Sequence, residues 1–192
     1  KKAFADRYKG ILEYRPKHTL VDVDVAGKTL KFEFNDDLKA DVLNVLPNMR
    51  AGEIAVKTGL ATANKRWCEV DFLTHESVAA KHIHVLGDAI QVAPLMPKSG
   101  HMANQHGKVC AAAVVALLTD KKPNDGPIYN NTCYSFVSDE DVIHVASVHR
   151  YDAEKKTMLT VPGSGGISSA ANELEGRIAM GWARNIWADT LG

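Results

Sequence analysis

The chain has 192 residues with 23 basic and 23 acidic side chains, and 45% of its residues are hydrophobic. A chain of this length can bury the core of one or two domains, and this composition excludes a wholly disordered protein. The balanced charge argues against a nucleic-acid binder and a polybasic membrane anchor, and the longest apolar run, residues 109–118, is too short to span a bilayer.

The first half of the chain begins with a clear hairpin pattern. Apolar and charged residues alternate on both sides of an Ala-Gly-Lys turn within residues 20–34, which predicts two antiparallel strands. Residues 40–47 (ADVLNVLP) are almost continuously apolar, which is typical of a strand that is covered on both faces. Residues 50–60 are predicted to form a short helix, with Ile54 and Leu60 facing inward.

The middle of the chain combines short strands with one long helix. Residues 68–73 and 81–86 are predicted to be short strands, and a loop rich in Pro and Gly follows. Ser99 occupies the N-cap position of a helix over residues 101–118. The residues expected on the buried face of this helix are Met102, Val109, Ala113 and Leu117.

The last third of the chain follows a linker at residues 120–127 (DKKPNDGP). Three antiparallel strands are predicted at residues 129–137, 141–148 and 157–161. A final helix runs from about Ser169 to Thr190. Its apolar stripe follows the helical spacing i, i+4, i+8 and i+12 at Leu174, Ile178, Trp182 and Ile186.

The strongest group of candidate functional residues lies between residues 83 and 100. Gly87 and Asp88 come at the end of a predicted buried strand, where α/β sheets bind ligands and where a carboxylate can accept hydrogen bonds from a sugar or ribityl hydroxyl. Lys98 and Ser99 open the long helix, whose positive end suits the electron-rich edge of a flavin. The alternative is that Gly87-Asp88 is only a turn and that Lys98 is solvated.

Three cysteines, Cys68, Cys110 and Cys133, form neither a CxxC site nor a disulfide-dense pattern. From the sequence alone, each is best explained as a buried structural thiol. The eight histidines show no HExxH motif and no His/Cys spacing typical of metal ligands, so no metal site is predicted.

Six segments resemble one family, the flavoprotein subunit of flavocytochrome c sulfide dehydrogenase, within the glutathione-reductase-like superfamily. They are PNMRAG at 47–52, RWCEVD at 66–71, LMPKSG at 95–100, GKVCAAAVVALL at 107–118, YNNTCYS at 129–135 and NIWADTLG at 185–192. The resemblance covers nearly the whole chain, and YNNTCYS is its most discriminating segment. The GxGxxG turn of that family and the cysteine that partners Cys133 are absent from this sequence, so the chain is expected to be the C-terminal half of the subunit.

The resemblance implies a set of FAD-contacting residues. Asp88 would bind the ribityl chain, Gly87 would also belong to the cofactor site, and Pro97, Lys98 and Ser99 would lie against the pyrimidine end of the flavin. Trp182 would lie near the ring. Cys133 would be one half of a redox-active cysteine pair, which accepts attack by sulfide and passes electrons to the flavin.

The resemblance also implies the architecture and the partners. The expected fold is α/β (α+β): residues 1–70 are a remnant of the second dinucleotide-like domain, 71–120 a segment of the FAD-binding domain, and 121–192 an antiparallel-sheet-and-helix domain at the flavin/cytochrome interface. The expected partners are a c-type cytochrome subunit and the N-terminal half of the same flavoprotein. The expected location is the periplasm. On its own, the 192-residue chain is expected to be inactive.

Two alternatives remain at this point. The first is a protein like sulfide:quinone oxidoreductase, although charged residues such as Glu173, Arg177 and Asp189 on the last helix suit a soluble interface better than a membrane element. The second is a non-catalytic module, residues 121–192, that only docks a cytochrome.

Overall fold

The computed structural model of the protein describes residues 1–192. Both of its sheets are antiparallel. Helices accompany the sheets, so the fold class is α+β, as predicted. The chain divides into two units, Lys1–Met49 and Arg50–Gly192. The domain limits expected at residues 70 and 120 refer to the architecture of the family and stay predictions.

The first unit contains one short helix and a three-stranded sheet. The helix is α1 (Lys2–Arg7), and the strands β1 (Leu20–Asp24), β2 (Thr29–Phe32) and β3 (Leu38–Lys39) follow one another in the sheet. The hairpin predicted from the alternating pattern is therefore confirmed. Its turn is closed by the Gly27 N–H, which donates to Asp24 Oδ1 at 2.8 Å, and Lys28 adopts a left-handed backbone with φ of 50°.

The buried strand predicted at residues 40–47 is wrong. Only Leu38–Lys39 pairs as β3, and none of the apolar side chains beyond it is buried: Val42 is 84% and Leu46 89% exposed. A continuous apolar run becomes a buried strand only where other layers cover both of its faces. No residue of this unit reaches the buried class, so such covering layers do not exist within residues 1–49.

The second unit holds a sheet between two long helices. Its elements are α2 (Glu53–Lys57), a 3-10 turn (Gly87–Ala89), α3 (Gly100–Leu118), β4 (Ile128–Phe136), β5 (Val142–Asp152), β6 (Thr157–Thr160), β7 (Gly166–Ile167) and α4 (Glu173–Leu191). The strand order is β4-β5-β6, and β7 pairs with β5. Helix α3 packs on β4, and α4 packs on β5. The three predicted antiparallel strands and the final helix are therefore confirmed.

The core of the second unit lies where α3 and the sheet meet the loop that precedes α3. It is built from Phe72, Ile90, Ala93, Met96, Met102, Tyr129 and Met158. A smaller cluster of Ala51, Ala55 and Cys68 lies under α2. The thiols of Cys68 and Cys110 are buried, which confirms the structural interpretation of these two cysteines.

The strands predicted at residues 68–73 and 81–86 do not form. Their backbones make only isolated bridges, such as Cys68 with Ile90 and Glu76 with His84. His82, inside the second segment, has a φ of 63°, a left-handed conformation that interrupts any extended strand. Gly87 and Asp88 therefore follow a loop and not the end of a buried strand.

Helices α2 and α3 form where they were predicted, but only some of the residues predicted to face the core are buried. Ser99 caps α3 as predicted, and Met102 and Ala113 are buried, whereas Leu117 is exposed. In α2, Leu60 packs against the small cluster, but Ile54 is 77% exposed, and Ala55 is buried in its place.

In the first half of α4, the buried residues also differ from the apolar stripe that was predicted. Leu174 and Ile178 are exposed, and the buried residues are Gly176 and Ala179. A Cβ built on Gly176 would lie 2.1 Å from the Glu140 carbonyl oxygen. The helix therefore approaches the β4–β5 turn through its small residues, because a larger side chain at this point would collide with backbone.

Two histidines and a tyrosine form a buried polar cluster between α3 and β4. His75 Nε2 lies 2.9 Å from Tyr129 Oη, which donates to the Phe72 carbonyl at 2.8 Å. The His75 and His106 rings lie 4.7 Å apart, and His106 Nδ1 accepts from the Gly87 N–H at 3.2 Å. Burial lowers the pKa of His75 to about 4 and that of His106 to about 3, so both rings are neutral at pH 7.

These two histidines predict an acid-sensitive fold. Their folded-state pKa values lie below the ordinary value of 6.5, so the unfolded chain binds more protons as the pH falls. We expect the free energy of unfolding to decrease below about pH 6.5, by up to about 1.4 kcal/mol per pH unit for each histidine. The decrease ends near pH 4 for His75 and near pH 3 for His106.

Urea unfolding between pH 7.5 and 5 measures this slope. His106→Asn keeps an acceptor for the Gly87 N–H but no longer titrates, so its slope should be smaller than that of the parent protein. His82→Asn, at an exposed position, is the matched control and should keep the parent slope. An unchanged slope in His106→Asn would contradict the prediction.

Candidate functional site

A groove of about 920 Å³ opens between the N-terminus of α3, strand β4 and helix α4. Three of the residues predicted to act on a cofactor or substrate line it: Ser99 from α3, Cys133 from β4 and Trp182 from α4. These residues are separated by up to 83 positions in sequence, and only the packing of both helices on the sheet brings them together. The groove is therefore the candidate site.

The N-terminus of α3 forms one end of the groove. Ser99 has an extended backbone, and its Oγ accepts the Met102 N–H at 3.1 Å. The first backbone bond of the helix runs from the Ala103 N–H to the Ser99 carbonyl at 2.9 Å. The N–H groups of Gly100 and His101 precede that bond and have no acceptor within the helix. The positive end of α3 therefore faces a groove that both residues line.

Cys133 connects to this helix end through a residue that the sequence prediction missed. Ser99 Oγ donates to Asn131 Oδ1 at 2.5 Å, and Asn131 Nδ2 donates to Cys133 Sγ at 3.3 Å. Cys133 is a free, half-buried thiol, whereas Cys68 and Cys110 are buried. The available signal for Asn131 was its place two residues before Cys133 on the same face of β4, where an apolar residue is usual.

Aromatic rings form the wall opposite the α3 terminus. The Trp182 ring lies 5.6 Å from that of Tyr134 and 5.3 Å from that of His101. His101 Nδ1 accepts the Thr132 N–H at 3.1 Å, and burial lowers the pKa of His101. A neutral His101 therefore ties the start of α3 to β4. Trp187, which also lines the groove, is exposed at its rim.

A hydrogen-bonded cluster holds α4 in place beside the groove. Glu175, in its first turn, lies 2.6 Å from His144 Nδ1 on β5 and accepts from Ser168 Oγ at 3.1 Å. The hydrogen bond from His144 lowers the pKa of Glu175. Because Glu175 is seven residues before Trp182, this cluster fixes the turn of α4 that leads into the aromatic wall.

The four remaining predicted residues lie outside the lining of the groove. Asp88 is exposed on the 3-10 turn, and Gly87, with a φ of 69°, packs against α3 so closely that an added Cβ would lie 3.4 Å from Ala103 Cβ. Pro97 is half-buried in the loop before α3. Their assignment to FAD, together with that of Lys98, stays a prediction.

Lys98 is not the solvated lysine of the alternative interpretation. Its Nζ donates to the carbonyl oxygens of Asp88 and Ile90, both at 2.6 Å, and lies 3.7 Å from the centre of the Trp67 ring. Burial lowers the pKa of Lys98. The side chain thus fastens the turn that carries Asp88 to the loop that leads into α3.

The groove has the features that a flavin ring requires. Its aromatic and aliphatic walls suit a flat apolar ring system, and the free N–H groups at the start of α3 suit the carbonyl oxygens on its polar edge. Asn104 Oδ1 is buried in the groove without a partner, because the amide donates through Nδ2 to Asp189 at 2.9 Å. That oxygen can accept a hydrogen bond from a ring N–H.

Two further features bear on the kind of site. The structure gathers no group of three or more His, Cys, Asp or Glu side chains that could hold a metal ion. No helix of the chain combines the length and the apolar character that crossing a membrane requires.

A comparison with known families matches part of the chain. Residues 125–191, about a third of the chain, match the family model described as flavocytochrome c sulphide dehydrogenase, flavin-binding. The matched segment contains β4 to β7 and α4, and with them Asn131, Cys133 and Trp182. The family is a flavin-binding one, consistent with FAD as the cofactor. The family name also pairs the flavoprotein with a cytochrome. Residues 125–191 of this protein thus match the flavin-binding domain of flavocytochrome c sulphide dehydrogenase.

Proposed function

We propose that this protein is an FAD-dependent oxidoreductase that oxidises hydrogen sulfide at Cys133 and passes the electrons to a c-type cytochrome subunit. The observation that carries the proposal is the position of Cys133. It is the accessible thiol of the chain, and it lies in the groove of a flavin-binding domain, beside the positive end of α3.

The overall oxidation converts HS⁻ into sulfur in the zero oxidation state, one proton and two electrons. In the proposed reaction, Cys133 forms a disulfide with a second cysteine from the N-terminal half of the flavoprotein. HS⁻ attacks this disulfide, so that a new S–S bond forms to one cysteine while the other leaves as a thiolate. Loss of two electrons and one proton then releases the added sulfur atom and re-forms the disulfide. The flavin supplies the two-electron acceptor that can return electrons one at a time.

The residues of this chain serve that chemistry in two ways. The positive end of α3 lowers the energy of anions in the groove, and both HS⁻ and the leaving thiolate are anions. Tyr134, Trp182 and Ile186 add apolar walls to the groove that Cys133 also lines, and these walls suit the flat ring of the flavin. Neither contribution requires a proton transfer from the neutral His101.

We further propose that the protein works in the periplasm. A c-type cytochrome as electron acceptor supports this location, because such cytochromes act on the outer side of the bacterial cytoplasmic membrane. Immunodetection in separated periplasmic and cytoplasmic fractions tests it, and recovery in the cytoplasmic fraction would contradict it.

An anaerobic titration of the full-length flavoprotein tests the reaction. We expect sulfide to bleach the visible flavin absorption and, when a c-type cytochrome is present, to reduce two haems for each sulfide consumed. Reduction of a quinone in place of the cytochrome would instead support the quinone oxidoreductase alternative. Cytochrome binding without any sulfide-dependent reduction would support the docking module.

A further inference from the structure

We propose that Asn131 is a positioning residue for Cys133: clamped by Ser99 at the N-cap of α3, its amide N–H donates to Cys133 Sγ and stabilises the thiolate. This inference rests on the proposed function, in which Cys133 is the reacting sulfur. It assigns a role to a residue that neither the sequence nor the family match singles out.

The burial of Asn131 requires a specific set of partners. The residue is 4% exposed, and its neighbour on the same face of β4, Tyr129, is fully buried. A buried primary amide is costly unless hydrogen bonds satisfy it. The Asn131 side chain finds them at Ser99 on one side and at Cys133 on the other, so the amide links the end of α3 to the sulfur.

The hydroxyl of Ser99 determines which way the amide points. Ser99 Oγ accepts the Met102 N–H, and its own proton is donated to Asn131 Oδ1. With Oδ1 engaged in this way, the amide presents its NH₂ group to Cys133. The Met102 N–H, the Ser99 hydroxyl and the Asn131 amide therefore form a series of hydrogen bonds in which every donor points toward the sulfur. Consecutive hydrogen bonds of this kind polarise one another in a buried site.

This direction favours the thiolate over the thiol. A thiolate accepts the N–H of Asn131, and Nδ2 lies 3.3 Å from Sγ. A thiol would instead donate to Oδ1, which lies farther from Sγ, at 3.8 Å, and is already occupied by Ser99. The thiolate is both the nucleophile in thiol–disulfide exchange and the leaving group when sulfide attacks a disulfide. Asn131 thus acts on the sulfur without touching the substrate.

The test measures the reactivity of Cys133 and not turnover. The full-length protein is reduced, freed of reductant and treated with iodoacetamide, and modified Cys133 is quantified by peptide mass spectrometry. The alkylation rate at pH 7 divided by the rate at pH 10 reports the thiolate fraction and cancels changes in access to the sulfur. We expect this ratio to fall about tenfold in Asn131→Leu, the effect of losing one charge-assisted hydrogen bond.

Two further variants make the result decisive. Asn131→Asp keeps an acceptor for Ser99 but replaces the donor by a carboxylate, so its ratio should fall at least as far even if Asn131→Leu fails to fold. Asn130→Leu changes the same residue type at the adjacent, exposed position and should keep the ratio within about twofold. An unchanged ratio in Asn131→Asp, or an equal fall in Asn130→Leu, would overturn the proposal. A different result would show that the proposed function itself is wrong, namely sulfide oxidation that persists in Cys133→Ser.

Discussion

Cys133→Ser should lose sulfide oxidation, by about a thousandfold or more, while FAD remains bound. The hydroxyl of serine cannot form the disulfide that sulfide attacks, and it cannot leave as a stable anion at neutral pH. The substitution only replaces the sulfur by an oxygen at a half-buried position, so the groove should keep its shape. Steady-state cytochrome c reduction and the visible flavin spectrum of the same preparation measure both quantities.

The matched control is Cys110→Ala, which removes a thiol that is buried in α3. This variant should lose some stability, because it leaves a small cavity, but it should keep its activity per bound flavin. Full activity in Cys133→Ser would disprove a reacting role for Cys133. Loss of FAD in that variant would instead mark Cys133 as a structural residue of the cofactor site.

Local patterns in the sequence predicted local structure correctly. The hairpin in residues 20–34, the Ser99 cap and the three strands after residue 127 each depend on alternation, turn residues or capping within a few positions. Interactions between distant segments were not visible in the same way. The apolar run at 40–47 indicates a buried strand only if other layers cover it, and that condition is not encoded in the run itself.

The candidate site shows the same division. Cys133, Ser99 and Trp182 line the groove, and the sequence had marked them by a motif, a helix cap and a family resemblance, while their roles stay predictions. Asn131 could not be predicted, since its role depends on contact with Ser99, 32 positions earlier in the chain. The assignment of Lys98 to the flavin stays a prediction, and in the structure its ammonium group donates to the carbonyl oxygens of Asp88 and Ile90. A helix terminus and a lysine in sequence do not reveal what the ammonium group contacts.

Helix α4 provides the second large expected effect, because its position depends on a single glycine. Gly176→Ala would place a Cβ 2.1 Å from the Glu140 carbonyl oxygen and 3.7 Å from Val142 Cγ2. The first contact is with backbone and cannot be relieved by rotating a side chain. We expect the variant to lose about 2–3 kcal/mol in the free energy of unfolding, even though alanine is the better helix former. Since α4 carries Trp182 and Ile186, the bound FAD should also be retained less tightly.

Gly181→Ala provides the internal control for this prediction. It makes the same chemical change five residues later in the same helix, where an added Cβ would meet nothing within 4 Å. Helix propensity alone then applies, so this variant should gain about 0.5–1 kcal/mol and keep its FAD. Urea unfolding and flavin retention on gel filtration compare the two variants directly. Equal stability of Gly176→Ala and Gly181→Ala would show that close packing at Glu140 does not hold α4 against the sheet. The aromatic wall of the groove would then need another anchor, and the His144–Glu175 pair is the structural candidate for it.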